Sequence, residues 1–164
     1  MSRKVSVLFY QFTFEKQITS SDGRTVSAQT LSQQETISCF NDIQNKMKTL
    51  NNGRKVARPL NKDYVVEIIN YDNGLLFAKI GHENPSSTVA LRDSVTLESD
   101  PLQMSQTQLL ETFTYFTIDF HTRVLCFIHL QSAPKVNNLK DFFLNYTKDM
   151  GFSPRHLLFY RLML

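Results

Sequence analysis

Hydrophobic positions recur along this chain with two periods, one near two residues and one near 3.6, and the changes between them mark its elements. Residues 5–14, "VSVLFYQFTF", are β-branched and aromatic and alternate in their later part, which predicts a first strand. The polar "SSDGRTVSAQT" that follows contains Asp22-Gly23, a turn signal, and reads as an exposed loop. A helix is then announced by Ser32 and Glu35, the spacing of a capping box. Ile37, Phe40, Ile43 or Gln44, Met47 and Leu50 form one apolar stripe, and Asn51, Asn52 and Gly53 close it.

Asn73-Gly74 lies between two strand-forming runs, about 64–71 and 75–80, and supplies the positive φ values of a type I′ hairpin turn. From Gly81 to Gln108 the pattern weakens. "HENPSS" reads as loop and "TVALRD" as a short edge strand, while Asp100 with Pro101 suits the start of a helical turn.

The stretch "YFTIDFHTRVLCFIHL" predicts a second hairpin whose register follows from the pattern. A three-residue loop of His121, Thr122 and Arg123 puts Phe116, Ile118 and Phe120 on one face with Val124, Cys126, Ile128 and Leu130. A two-residue loop would bring His129 onto the apolar face, and a slip of one residue is costly wherever a face is buried. The three-residue reading leaves Asp119 on the more polar face with Thr117, Tyr115 and His129. Leu139, Phe142, Phe143, Tyr146 and Met150 then mark a second helix, with Asn138 as cap and Gly151 as its left-handed close. The final "RHLLFYRLML" is apolar on both sides, as in a central strand. The expected fold class is α+β: a mostly antiparallel sheet of about five to six strands with two main helices packed on one face.

Composition narrows the function classes. The 164 residues suit a single domain, 1–164, with 41% apolar and 20% charged residues. Thirteen Phe and six Tyr, with no Trp and five Gly, point to a core of aromatic rings. No run approaches the ~20 apolar residues of a membrane span, and no signal peptide is legible, so a cytoplasmic protein with no membrane contact is expected. Cys39 and Cys126 each sit among apolar neighbours as buried free thiols do.

The net charge of +3 is unevenly spread. Lys46, Lys48, Arg54, Lys55, Arg58 and Lys62 fall in one segment without an acid, whereas residues between Asp93 and Asp119 include Glu98, Asp100 and Glu111 and no Lys or Arg. The basic segment could neutralise phosphates, although it lacks aromatic residues for base stacking. In the acidic stretch, Leu102, Met104 and Leu109 beside Glu98, Asp100 and Glu111 suit an adaptable protein interface.

Asp119, His121 and His129, with Glu111 nearby, are residue types that hold metals or move protons, but hairpin turns collect them for structural reasons. Asp63, Glu67 and Lys79 lie on one hairpin without the spacing of a nuclease strand. Phosphate loops, nucleophile elbows, His-Glu-x-x-His and Cys-x-x-Cys are absent, and His82, His121, His129 and His156 are scattered. No catalytic residue, metal or cofactor is therefore expected. The first reading is a small non-catalytic interaction protein, an inhibitor, adaptor or subunit of the kind viruses and other mobile elements encode. It would bind a protein partner through residues 82–111, and the last strand could pair with a second copy. The alternative is a nucleic-acid-binding module using residues 46–62, and the third reading a metal-dependent hydrolase around Asp119 and His121.

Overall fold

The computed structural model describes residues 5–19, 26–59, 64–84, 90–101, 103–105, 108–147 and 158–161. Its first half contains β1 (Ser6–Thr13), β2 (Glu15–Thr19), β3 (Val26–Thr30), α1 (Gln33–Leu50), β4 (Val56–Ala57), β5 (Tyr64–Asp72) and β6 (Leu75–Asn84). There follow β7 (Ala90–Arg92), β8 (Ser99–Pro101), β9 (Leu110–Asp119), β10 (Val124–His129), α2 (Val136–Thr147) and β11 (Leu158–Arg161). One sheet has the order β11-β1-β10-β9-β6-β5-β4, antiparallel at every pairing, and its edge strand β4 has only two residues. The fold is α+β, as the pattern predicts.

Alternate residues of a strand point to opposite faces, so one parity of each strand builds the core. Phe12, Val66, Ile80, Phe116, Ile118, Leu125 and Phe127 are buried there. Both helices reach the same cluster: Phe40 of α1 packs on Phe120 and Tyr71, and Phe143 of α2 packs on Phe14 and Phe40. Each side chain of this size that leaves water contributes about 1.5–3 kcal/mol before entropy is counted. The core is aromatic, as the composition suggests.

α1 begins where the sequence places it. Ser32 Oγ accepts from the Glu35 amide at 3.3 Å, and Glu35 Oε2 accepts from the Ser32 amide at 2.8 Å. At the other end Asn52 and Gly53 take φ values of 54° and 81°, which turn the chain out of the helix. The Asn73-Gly74 turn has φ values of 43° and 77°, and β5 carries a bulge between Ile68 and Asn70 that leaves Ile69 exposed.

Several expectations are corrected. The β9–β10 turn has four residues, 120–123, with Arg123 at φ 58°, and Val124 pairs with Asp119. Leu125 and Phe127 therefore face the helices, with the half-buried His129 on their side, while Val124, Cys126 and Ile128 face away. Both sides of β10 are apolar, so a rule that assumes one wet face cannot choose between them. β11 is an edge strand paired only to β1 among the described residues, not a central one. Val26–Thr30 is a strand paired to β2 and not loop. Ser99–Pro101 pairs with Ala90–Arg92 as a small separate sheet where a helical turn was expected. α2 starts at Val136, because Asn138 Oδ1 accepts from the Lys135 amide and the Asn138 amide donates back to Lys135, closing a turn before Asn138. Met150 and Gly151 lie outside the described residues, as do Asp22 and Gly23.

Candidate functional site

Asp119 and His121 serve the turn. Asp119 Oδ1 accepts from the amides of His121 at 2.8 Å and Thr122 at 3.3 Å, and Oδ2 accepts from Thr122 Oγ1 at 2.7 Å. Burial alone would raise this carboxyl, but those hydrogen bonds outweigh it and hold it below the usual carboxylate range. The His121 ring lies between other elements: Nε2–H donates to the Asn73 carbonyl at 2.8 Å, and Gln33 Nε2–H donates to Nδ1 at 2.6 Å. A carbonyl only accepts, so Nε2 carries the proton and Nδ1 receives the amide. Among the described residues, no three His, Cys, Asp or Glu converge as metal ligands.

Glu67, Lys79 and Glu111 come together on the sheet face that points away from the helices. Lys79 Nζ lies 2.9 Å from Glu67 Oε2 and 3.3 Å from Glu111 Oε2. The Glu67 hydrogen bond, aided by the charge of Glu111 and opposed by burial, holds the ammonium above its ordinary range. An ammonium so held is a poor base, and the arrangement is a neutralising bridge across β5, β6 and β9. Asp63 is outside the described residues.

The basic segment is partly committed elsewhere. Lys46 Nζ sits 6.0 Å from the centre of the Tyr146 ring, and Arg58 pairs with Glu83. Lys48, Arg54 and Lys55 have no ion pair among the described residues, and Lys62 lies outside them. A pocket of about 230 Å³ is lined by Tyr64, His82, Lys135 and Asn138. Its one ammonium, on Lys135, already donates to the carbonyls of Leu130 and Gln131 at 2.8 and 3.0 Å.

The acidic stretch divides into two surfaces. Glu98 and Asp100 belong to the β7–β8 hairpin, in which every residue from Leu91 to Asp100 is exposed. Its turn is tightly bonded: Asp93 Oδ1 accepts from the amides of Val95 and Thr96 at 2.8 and 2.7 Å, and Arg92 Nη1 donates to the Leu97 carbonyl at 2.6 Å. The Thr96 amide bond, then that of Val95, holds the Asp93 carboxyl below its usual range. Leu97 takes φ 63°, an uncommon conformation for a bulky side chain. This frame presents Val95 87%, Leu97 64% and Leu91 62% exposed. Leu109 is also exposed and Met104 half-buried, Leu102 lies outside the described residues, and Glu111 belongs to the lysine bridge. Leu91, Val95 and Leu97 were not singled out from sequence, although Asp93 followed by Thr96 is a readable turn signal.

Comparison of the chain with protein-family models, curated proteins and solved structures finds no match. No helix among the described residues is long and apolar enough to cross a membrane.

Proposed function

We propose that the chain is a non-catalytic interaction domain, an inhibitor, adaptor or subunit, that binds a protein partner through the β7–β8 hairpin. The observation that supports this reading is the exposure of three aliphatic side chains, Leu91, Val95 and Leu97, on one hydrogen-bonded hairpin. Apolar side chains held in water by an ordered backbone gain about 25 cal/mol per Å² when a partner covers them, and a preformed turn loses little entropy on binding. Glu98 and Asp100 beside them favour a partner whose cleft is rimmed by basic groups.

The test is affinity capture from native lysate after nuclease treatment, using the wild-type chain and a Val95→Asp, Leu97→Asp variant. The wild type is expected to retain a stoichiometric protein that the variant loses, with both melting alike. Equal capture by the two proteins, or no capture by either, would remove the reading.

A further inference from the structure

The sheet face opposite the helices carries a second surface, independent of the hairpin. An antiparallel sheet with one covered face normally shows polar side chains on the other. Here a largely apolar band crosses four adjacent strands, through Val7 and Phe9 on β1, Cys126 and Ile128 on β10, Tyr115 on β9 and Phe77 on β6, with Thr117 between Cys126 and Phe77. Phe77 and Tyr115 stack at 5.5 Å with an interplanar angle of 23°, yet remain 39% and 37% exposed. Phe113 meets Tyr115 edge to face at 5.3 Å and lies under Lys79.

The charge around this band is negative. By strand register, among the described residues, Glu67, Asp72, Glu111 and Asp119 share the face with Lys79, four carboxylates to one ammonium, while Glu83 is matched by Arg58. The chain as a whole is +3. Face-to-face pairing with a second copy would oppose acid to acid. A single-stranded nucleic acid would find rings to stack on but carboxylates in place of cations. The strands under the band are paired on both sides, so the face offers no backbone hydrogen bonds to an occupant. An occupant must satisfy its own backbone, and a helix does so internally.

We infer that this face is a docking site for an amphipathic helix of a protein partner, with apolar residues against Phe77 and Tyr115 and Lys or Arg along its borders. The helix would add a third layer to the fold, opposite α1 and α2.

Cys126 reports on the site, since it is half-buried within the band while Cys39 is fully buried. The experiment is the alkylation rate of Cys126 in the folded chain, with a leucine-lysine amphipathic peptide of about 18 residues, or its leucine-glutamate counterpart, in excess. The lysine peptide is expected to slow alkylation at least tenfold and the glutamate peptide to leave it unchanged. Phe77→Ser with Tyr115→Ser should abolish protection. Because those changes could disturb the sheet, Glu67→Gln with Glu111→Gln is a second variant that keeps every apolar contact, and it should weaken protection severalfold. Val95→Asp with Leu97→Asp should change nothing, which separates this site from the hairpin. Equal protection by both peptides, or by neither, would overturn the proposal. So would protection without peptide that grows with protein concentration, which would identify the occupant as a second copy.

Discussion

Nε2 of His121 lies 2.8 Å from the carbonyl oxygen of Asn73, so the turn between β9 and β10 is fastened to the turn between β5 and β6. The opposite ring nitrogen receives Gln33 from the first turn of α1. One imidazole thus ties two hairpins and a helix. A residue type that suggested metal or proton chemistry is a cross-link between loops.

His121→Ala should lower stability by about 1–2 kcal/mol, the loss of two hydrogen bonds that water partly replaces. Gly74→Ala should cost at least as much. Its φ of 77° disfavours a side chain by about 1–2 kcal/mol, and an added Cβ would lie 2.6 Å from His121 Nε2. Because both substitutions disturb one contact, the double variant should lose less than the sum of the two. Urea unfolding of the three variants checks this, and strict additivity would refute the cross-link.

Tyr71→Phe should raise stability, by about 1 kcal/mol. The Tyr71 ring packs on Phe40 and Phe120, but its hydroxyl is buried with no hydrogen-bond partner among the described residues. Burial also pushes its phenol upward from the ordinary range. Replacement removes a desolvated polar atom and keeps the ring. A fall in melting temperature would show that the hydroxyl is bonded.

The N-terminus of α1 should weaken in acid. Hydrogen bonds from Lys16, then from the Ser32 amide and hydroxyl, lower Glu35 from 4.5 to about 2. A carboxyl depressed in the folded state stabilises it fully above the unfolded value and ceases to do so as pH falls through the folded one. The Glu35 contribution is therefore present above pH 4.5 and lost progressively towards about 2. Stability of wild type and Glu35→Gln, measured across that window, should converge as the pH drops.

Among the described residues of the basic segment, any attachment to duplex DNA should be weak and limited to Lys48, Arg54 and Lys55. Three phosphate contacts give a slope of log affinity on log salt no steeper than about −2.7, or about 40-fold loss between roughly 50 and 200 mM. Replacement of the three by alanine should remove the binding. A steeper slope in a fluorescence titration would mean that Lys46, Arg58 or Lys62 contributes as well.

Local signals were legible where a few neighbouring residues complete the chemistry by themselves. Ser32 with Glu35 closes a box four residues long, and Asn73-Gly74 supplies its own turn geometry. The placement of Asp119 and His121 at a turn could be read for the same reason. The candidate surfaces were only partly legible. Glu98 and Asp100 were visible as charges, but which aliphatic residues stand beside them depends on β7 pairing with β8. Glu111 read as part of the acidic stretch, and only the pairing of β6 with β9 sets it against Lys79.

The amino-acid order alone determined the class of fold, the buried stripes from Phe40 to Met47 and from Leu139 to Tyr146, and the Asn73-Gly74 turn, because each depends on periodicity or contacts within a few residues; Leu50, read as part of the first stripe, is exposed. Tertiary structure decided the register of β10, the edge position of β11 and the apolar character of the open sheet face. Val124, Cys126 and Ile128 are as hydrophobic as Leu125 and Phe127, so alternation could not say which set meets the helices. That choice was made by the packing of aromatic rings contributed from distant parts of the chain, which no local pattern encodes.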